Sequence, residues 1–198
     1  NYAFANSGLI SVVSLERLSK VSDYMFSNCV KLESIYGSLP GTIGIYAFQN
    51  CSKLVLSEGQ LKTVTTIGNG AFNNCPQIAG EISLPQVKSI GSAAFSHSGI
   101  TSIDLTGAPI TEISSSTFEN MSNLTKITIS ASVIKFGSKI FLNNSNLSEI
   151  HLLSTTPATV DSDTFTGADN YVIYVPKGCS AVYKEKWTAY ADRIQEEQ

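Results

Sequence analysis

The chain has 198 residues, with 13 Lys and Arg against 16 Asp and Glu, a formal charge of −3. Charged residues make up 15%, well below the roughly 25% of ordinary soluble domains, and the lack of any basic run argues against nucleic acid as the main partner. No stretch reaches the ~18 uninterrupted apolar residues of a membrane span, and four cysteines without a Cys-x-x-Cys spacing argue against a disulfide scaffold and a structural zinc site.

Self-similarity is the strongest signal. Phe4, Phe26, Phe48, Phe72, Phe95, Phe118, Phe141 and Phe165 follow one another at 22, 22, 24, 23, 23, 23 and 24 residues. Five positions before them runs an apolar row of Val21, Ile43, Ile67, Ile90, Ile113, Phe136 and Val160. The next position is small or turn-forming, with Gly44, Gly68, Gly91 and Gly137. Two positions after the Phe comes Asn6, Asn28, Asn50, Asn74, His97, Asn120, Asn143 or Gly167. A period of 22–24 residues lies in the leucine-rich-repeat range.

Along the chain, Asn1-Tyr2-Ala3-Phe4 enters in the middle of a repeat, so further sequence is expected upstream. Strands then follow at Leu32–Gly37, Ile100–Leu105, Leu124–Ile129, Leu147–Leu152 and Ile173–Val175. Alternation sends Ile127 and Ile129 inward and Lys126 and Thr128 outward. A single unit cannot bury its apolar face alone, so the units must stack. The Phe row should fill the wide part of each coil. The glycines should allow a backbone bend that a β-carbon would obstruct. The Asn row should bond backbone groups left open by the turn. After Pro176 and Gly178, Tyr183, Trp187, Tyr190 and Ile194 lie on one helical stripe with Ser180 as N-cap. These residues predict a helix over 177–198 that covers the open sheet edge.

The motif Gly-x-x-Ala-Phe-x-Asn-Cys-x-x-Leu, seen at Gly44–Leu54 and in part at Gly68–Cys75, Ala94-Phe95, Phe118-x-Asn120 and Phe141-x-Asn143, resembles the BspA-like leucine-rich-repeat family. The expected architecture is a β-rich repeat solenoid over residues 1–176, a right-handed coil of about eight units with an incomplete first repeat, followed by a C-terminal cap over 177–198. The resemblance implies a secreted or surface-displayed, non-enzymatic adhesion module that recognises a protein or glycoprotein such as host extracellular matrix. The rival reading is a recognition or spacer segment of a larger surface enzyme or polysaccharide-handling protein. A monomer without cofactor is expected.

Candidate chemistry is sparse. Cys29, Cys51 and Cys75 share one row with Ser7, Ser98, Met121, Asn144 and Ala168, which reads as a buried row of free thiols, whereas Cys179 stands apart in the cap. His97 substitutes for a turn Asn, and His97 and His151 have no metal-ligand spacing. Asp161 and Asp163 read as solvated turn residues. The Asn-x-Ser/Thr matches at Asn50, Asn120, Asn123, Asn143 and Asn146 read as by-products of the repeat composition. With no nucleophile arrangement and no acid–base pair, catalytic, cofactor and metal residues are expected to be none. What remains is the outward row of the strands, with Tyr36, Asp104, Lys126, Thr128, Glu149, His151 and Tyr174 as the candidate partner-binding face.

Overall fold

The computed structural model describes residues 1–57 and 59–198 and forms a β-solenoid of about eight coils. In chain order the strands are β1 (Ser11–Val12), β2 (Ser34–Ile35), β3 (Thr42–Ile43), β4 (Thr66–Ile67), β5 (Ala79–Ser83), β6 (Ser89–Ile90) and β7 (Gly99–Asp104). There follow β8 (Glu112–Ile113), β9 (Lys126–Ile129), β10 (Lys135–Phe136), β11 (Glu149–Leu152), β12 (Val172–Val175), helix α1 (Ser180–Lys186) and β13 (Ile194–Glu196). All strand pairs are parallel, as a coil that always returns to its start requires. β5, β7, β9, β11, β12 and β13 form one face in that order, with β1 and β2 a separate pair at its N-terminal end. A second face carries β3, β4 and β6, then β8 and β10. The coils are numbered one to eight along the chain, with β1, β2, Val55, β5, β7, β9, β11 and β12 on the first face.

The third side of each coil is the turn that holds the Phe. In coil two the N–H groups of Tyr24, Phe26 and Asn28 donate to Ile45, Ala47 and Gln49 of the next coil. Those of Met25, Ser27 and Cys29 donate within the turn, to Ser22, Tyr24 and Phe26. Alternate residues thus serve stacking and turning, and the turn needs left-handed backbone at both Phe−2 and Phe+2. Tyr24, Tyr46, Ala93, Ser116 and Lys139 occupy the first such position, with φ between 51° and 57°. Asn28, Asn50, Asn74, His97, Asn120 and Asn143 occupy the second, with φ between 56° and 63°. Asn tolerates this region best among residues with a side chain, which accounts for the row.

Two sequence-based reasons change here. The Asn side chains bond each other rather than open backbone groups: Asn50 Nδ2 donates to Asn28 Oδ1 at 2.6 Å, Asn74 to Asn50 at 2.8 Å and Asn143 to Asn120 at 2.7 Å. His97 breaks this ladder and takes Ser96 Oγ as partner at 3.0 Å. The repeated glycines, in turn, are demanded by proximity rather than by an unusual bend. A β-carbon on Gly68 would lie 2.7 Å from the carbonyl carbon of Gly44 and the nitrogen of Ile45, both backbone atoms that cannot step aside.

The Phe rings from Phe4 to Phe165 stack without interruption at centroid separations of 5.2–6.5 Å, and the stack is buried from Phe26 onward. Beside them the cysteine row is buried, and all four cysteines are free thiols. Cys29, Cys51 and Cys75 each point their thiol at the carbonyl of the Phe one coil back, at 3.0, 3.1 and 3.0 Å. Asn144 does the same for Phe118 at 2.7 Å, so the row carries a weak donor as well as filling space. Burial pushes the Cys51 and Cys75 thiols up, Cys75 to about 12. Alkylation of the native protein followed by mass spectrometry should therefore label Cys179 and leave Cys29, Cys51 and Cys75 unmodified. Labelling of the three at the rate of Cys179 would contradict their burial.

The C-terminal end departs from the predicted single helix. α1 stops at Lys186, a 3₁₀ turn covers Thr188–Arg193, and Ile194 begins β13. Its N-cap position is Cys179; Ser180 instead donates its hydroxyl to Glu196 Oε1 at 2.6 Å. The sheet edge is thus covered by a strand, with Ile173 of β12 beside Ile194. The aromatic stripe still faces the core. Trp187 is buried, donates Nε1–H to Ala158 at 2.9 Å and meets Phe136, Phe165 and Tyr183 edge-on or tilted.

Candidate binding face

On the first face the register runs Ser83, Asp104, Thr128, His151, Tyr174 and Gln195 in one outward row, and Glu81, Ser102, Lys126, Glu149 and Val172 in the other. The predicted row is therefore a real ladder from coil four onward. Tyr36 does not belong to it. It follows β2, and between β2 and β5 the face is interrupted in coil three, where among the described residues only Val55 bridges Ser34 before the chain turns at Gly59–Thr63.

The interruption has a sequence cause. Coil three spans one of the longest repeats, and where its neighbours place a strand it reads Ser57-Glu58-Gly59-Gln60, with Gly59 left-handed at φ 83°. Gln60 then replaces the absent strand with its side chain. Its Nε2 donates to Ile35 O and Gly37 O, both at 2.7 Å, while Oε1 accepts from Ser57 N–H at 2.6 Å.

Two clefts flank this turn. The larger, about 560 Å³, lies toward coils four and five, between Leu56, Leu61 and Lys62 on one wall and Glu81, Ser83 and Asp104 on the other. The smaller, about 350 Å³, lies toward coil two and includes Glu16, Tyr36 and Gln60. Tyr36, 61% exposed, stands at its rim. Periodicity alone missed these walls; the signal was a turn-forming Ser-Glu-Gly-Gln at a strand position.

The C-terminal half of the face is internally committed. His151 Nδ1 meets Glu197 Oε1 at 2.6 Å, and Nε2 meets Glu149 Oε2 at 3.0 Å. Its ring stacks on Tyr174 at 4.7 Å, and Lys126 pairs with Glu149 at 3.3 Å. The bonds from His151 and Lys126 hold the Glu149 carboxyl below its ordinary range. His151, proposed as a contact for a partner, therefore has both ring nitrogens engaged by its own chain. Glu197, which ties the tail to this row, carried no sequence signal.

Among the described residues no three His, Cys, Asp or Glu side chains come together as a metal would require. Asp161 is exposed in its turn and Asp163 is half-buried. Nor is any helix long and apolar enough to cross a membrane.

Short parallel strands stacked coil on coil, with aromatic and amide ladders in the turns, define a leucine-rich-repeat solenoid. The chain belongs to the BspA-type leucine-rich-repeat family, whose repeat region matches residues 1–79 and 41–172 in six copies. Among solved structures, a leucine rich cell surface protein from Faecalibacterium prausnitzii A2-165 is similar at 17% identity and a TM-score of 0.38, covering 93% of this chain and 78% of that one. A search among curated proteins finds no match.

Proposed function

We propose that this chain is a non-enzymatic binding module that recognises a macromolecular partner, a protein or glycoprotein, through the outward face of its first sheet. The observation that carries this reading is the pair of clefts opened in that face by the coil-three turn. A flat ladder offers little relief, whereas a face with recesses and a rim tyrosine offers the shape on which interface energy concentrates. Among the described residues no serine hydroxyl of the larger cleft hydrogen-bonds Glu81 or Asp104, which supports recognition over catalysis. The weakly acidic charge supports a partner other than nucleic acid. Family membership supports display outside the cell or at its surface, where adhesion to host matrix or to neighbouring cells is the corresponding task. The acting form is a monomer whose functional unit is the solenoid of residues 1–176 with its cap.

Matrix proteins and host glycoproteins immobilised on a sensor surface test the proposal. A Tyr36→Ala/Asp104→Ala variant, both exposed or half-exposed and outside the core, should fold as wild type by circular dichroism and bind at least about 10-fold more weakly, as loss of one or two anchors gives. Equal binding by the folded variant would place the interaction on another surface.

A further inference from the structure

We infer that the open edge of β5 is a strand-addition site for an extended, basic peptide segment of the partner, an inference that rests on the binding-module reading above. Elsewhere on this face the coils are stitched together by backbone bonds. Glu33 N–H donates to Ile10 O, Val55 to Glu33 O, Thr125 to Thr101 O, Ser148 to Thr125 O and Val172 to Ser148 O, all between 2.8 and 3.0 Å. Between coils three and four, among the described residues, no such bond exists on this face. The gap is local, because the same two coils are joined on the second face through Thr42 and Thr66 and in the turn through Phe48 N–H to Ala71 O.

β5 therefore pairs with β7 alone. Leu84 N–H already donates to Asp104 O, and in a parallel ladder alternate residues turn both backbone groups to the same neighbour. Glu81 and Ser83 thus present N–H and C=O toward the gap. Ile82, the inward residue between them, is only half-buried, whereas its row partners Ile103, Ile127, Ile150 and Ile173 are at most 1% exposed. Open donors and acceptors, together with a half-covered isoleucine, are what a missing neighbouring strand leaves behind.

The chemistry of the gap specifies the occupant. Five residues of β5 span about 17 Å at strand rise, enough to pair a segment of similar length. Leu56 and Leu61 wall the opposite side, so the occupant enters as one chain between two walls rather than as the edge of another sheet. An apolar residue at its inward position would complete the cover over Ile82. Basic residues at its outward positions would meet the carboxylates of Glu81 and Asp104.

An octapeptide alternating Lys and Val is the probe, titrated into the full chain by fluorescence anisotropy, with amide exchange read by mass spectrometry. Binding should protect the amides of β5 from exchange. Methylating alternate peptide nitrogens, which removes the donors and keeps the charge, should weaken binding at least about 10-fold, and E81K should do likewise while folding normally. Equal binding of the methylated peptide, binding without protection of β5, or no binding at all would overturn the site. So would protection that appears with chain concentration alone, which would assign the edge to a second copy. A chain that captures its partner through Tyr36 and Asp104 while β5 exchanges unprotected would remove the strand-addition site and leave the binding-module reading in place.

Discussion

Phe95→Ala is expected to destabilise the chain by about 3–5 kcal/mol, the range for removing a buried aromatic ring from a core that cannot collapse around the cavity. Phe95 is fully buried, and its ring lies 5.5 Å from Phe72 and 6.5 Å from Phe118. Collapse is blocked because the turn carrying Phe95 is bonded to both neighbours. Phe72 N–H donates to Ala94 O and Phe95 N–H to Thr117 O, at 2.8 and 3.4 Å. The backbone therefore cannot slide inward to fill the space. Because each coil touches only its neighbours, the loss divides the stack as well as weakening it. Urea unfolding should show a lower midpoint and a broader transition than wild type. A loss below about 1 kcal/mol would mean that the ring contributes far less than its burial implies.

The second large effect is at the C-terminal end of the stack. Deleting residues 180–198 removes β13 and exposes the edge of β12, together with the apolar surface beneath Trp187 and Tyr183. An uncapped solenoid presents both an unpaired edge and its core in cross-section, and such chains associate. Light scattering should show oligomers of the truncated chain where the full chain stays monomeric. Trp187→Ala separates the two causes, since it keeps β13 and opens only the core. A stable, soluble monomer of the truncated chain would show that the cap is dispensable.

Most of the frame was readable from spacing, because a stack repeats its solution and each row reports one position several times over. Phe, Ile, Cys and Asn rows all appear where periodicity puts them, and Asn144 in the cysteine row even keeps the bond to the Phe carbonyl. What spacing could not supply was direction and exception. That the Asn amides bond one another, and that the glycines answer a backbone contact 22–24 residues away, depends on which groups adjacent coils bring together. The cap was misread because Tyr183, Trp187, Tyr190 and Ile194 fit a helical stripe, yet the same side chains reach the core from a helix, a 3₁₀ turn and a strand in succession. Periodicity records which residues point inward, and more than one backbone path satisfies it. The candidate face was half legible. Asp104 and Tyr36 border clefts, but His151, stacked on Tyr174, is bound to Glu197, a contact 46 residues distant with no repeat to announce it.

The placement of the one tryptophan gives the molecule a built-in end label. Trp187 sits at the C-terminal cap, surrounded by Phe136, Phe165, Tyr183 and Tyr190, while the stacked Phe rings toward the N-terminus carry no indole. Its emission therefore reports the last coils alone, whereas far-ultraviolet dichroism averages over every strand. Where the two signals part company during unfolding, the order of their midpoints reads out the end from which the solenoid unravels, with no added dye and no substitution.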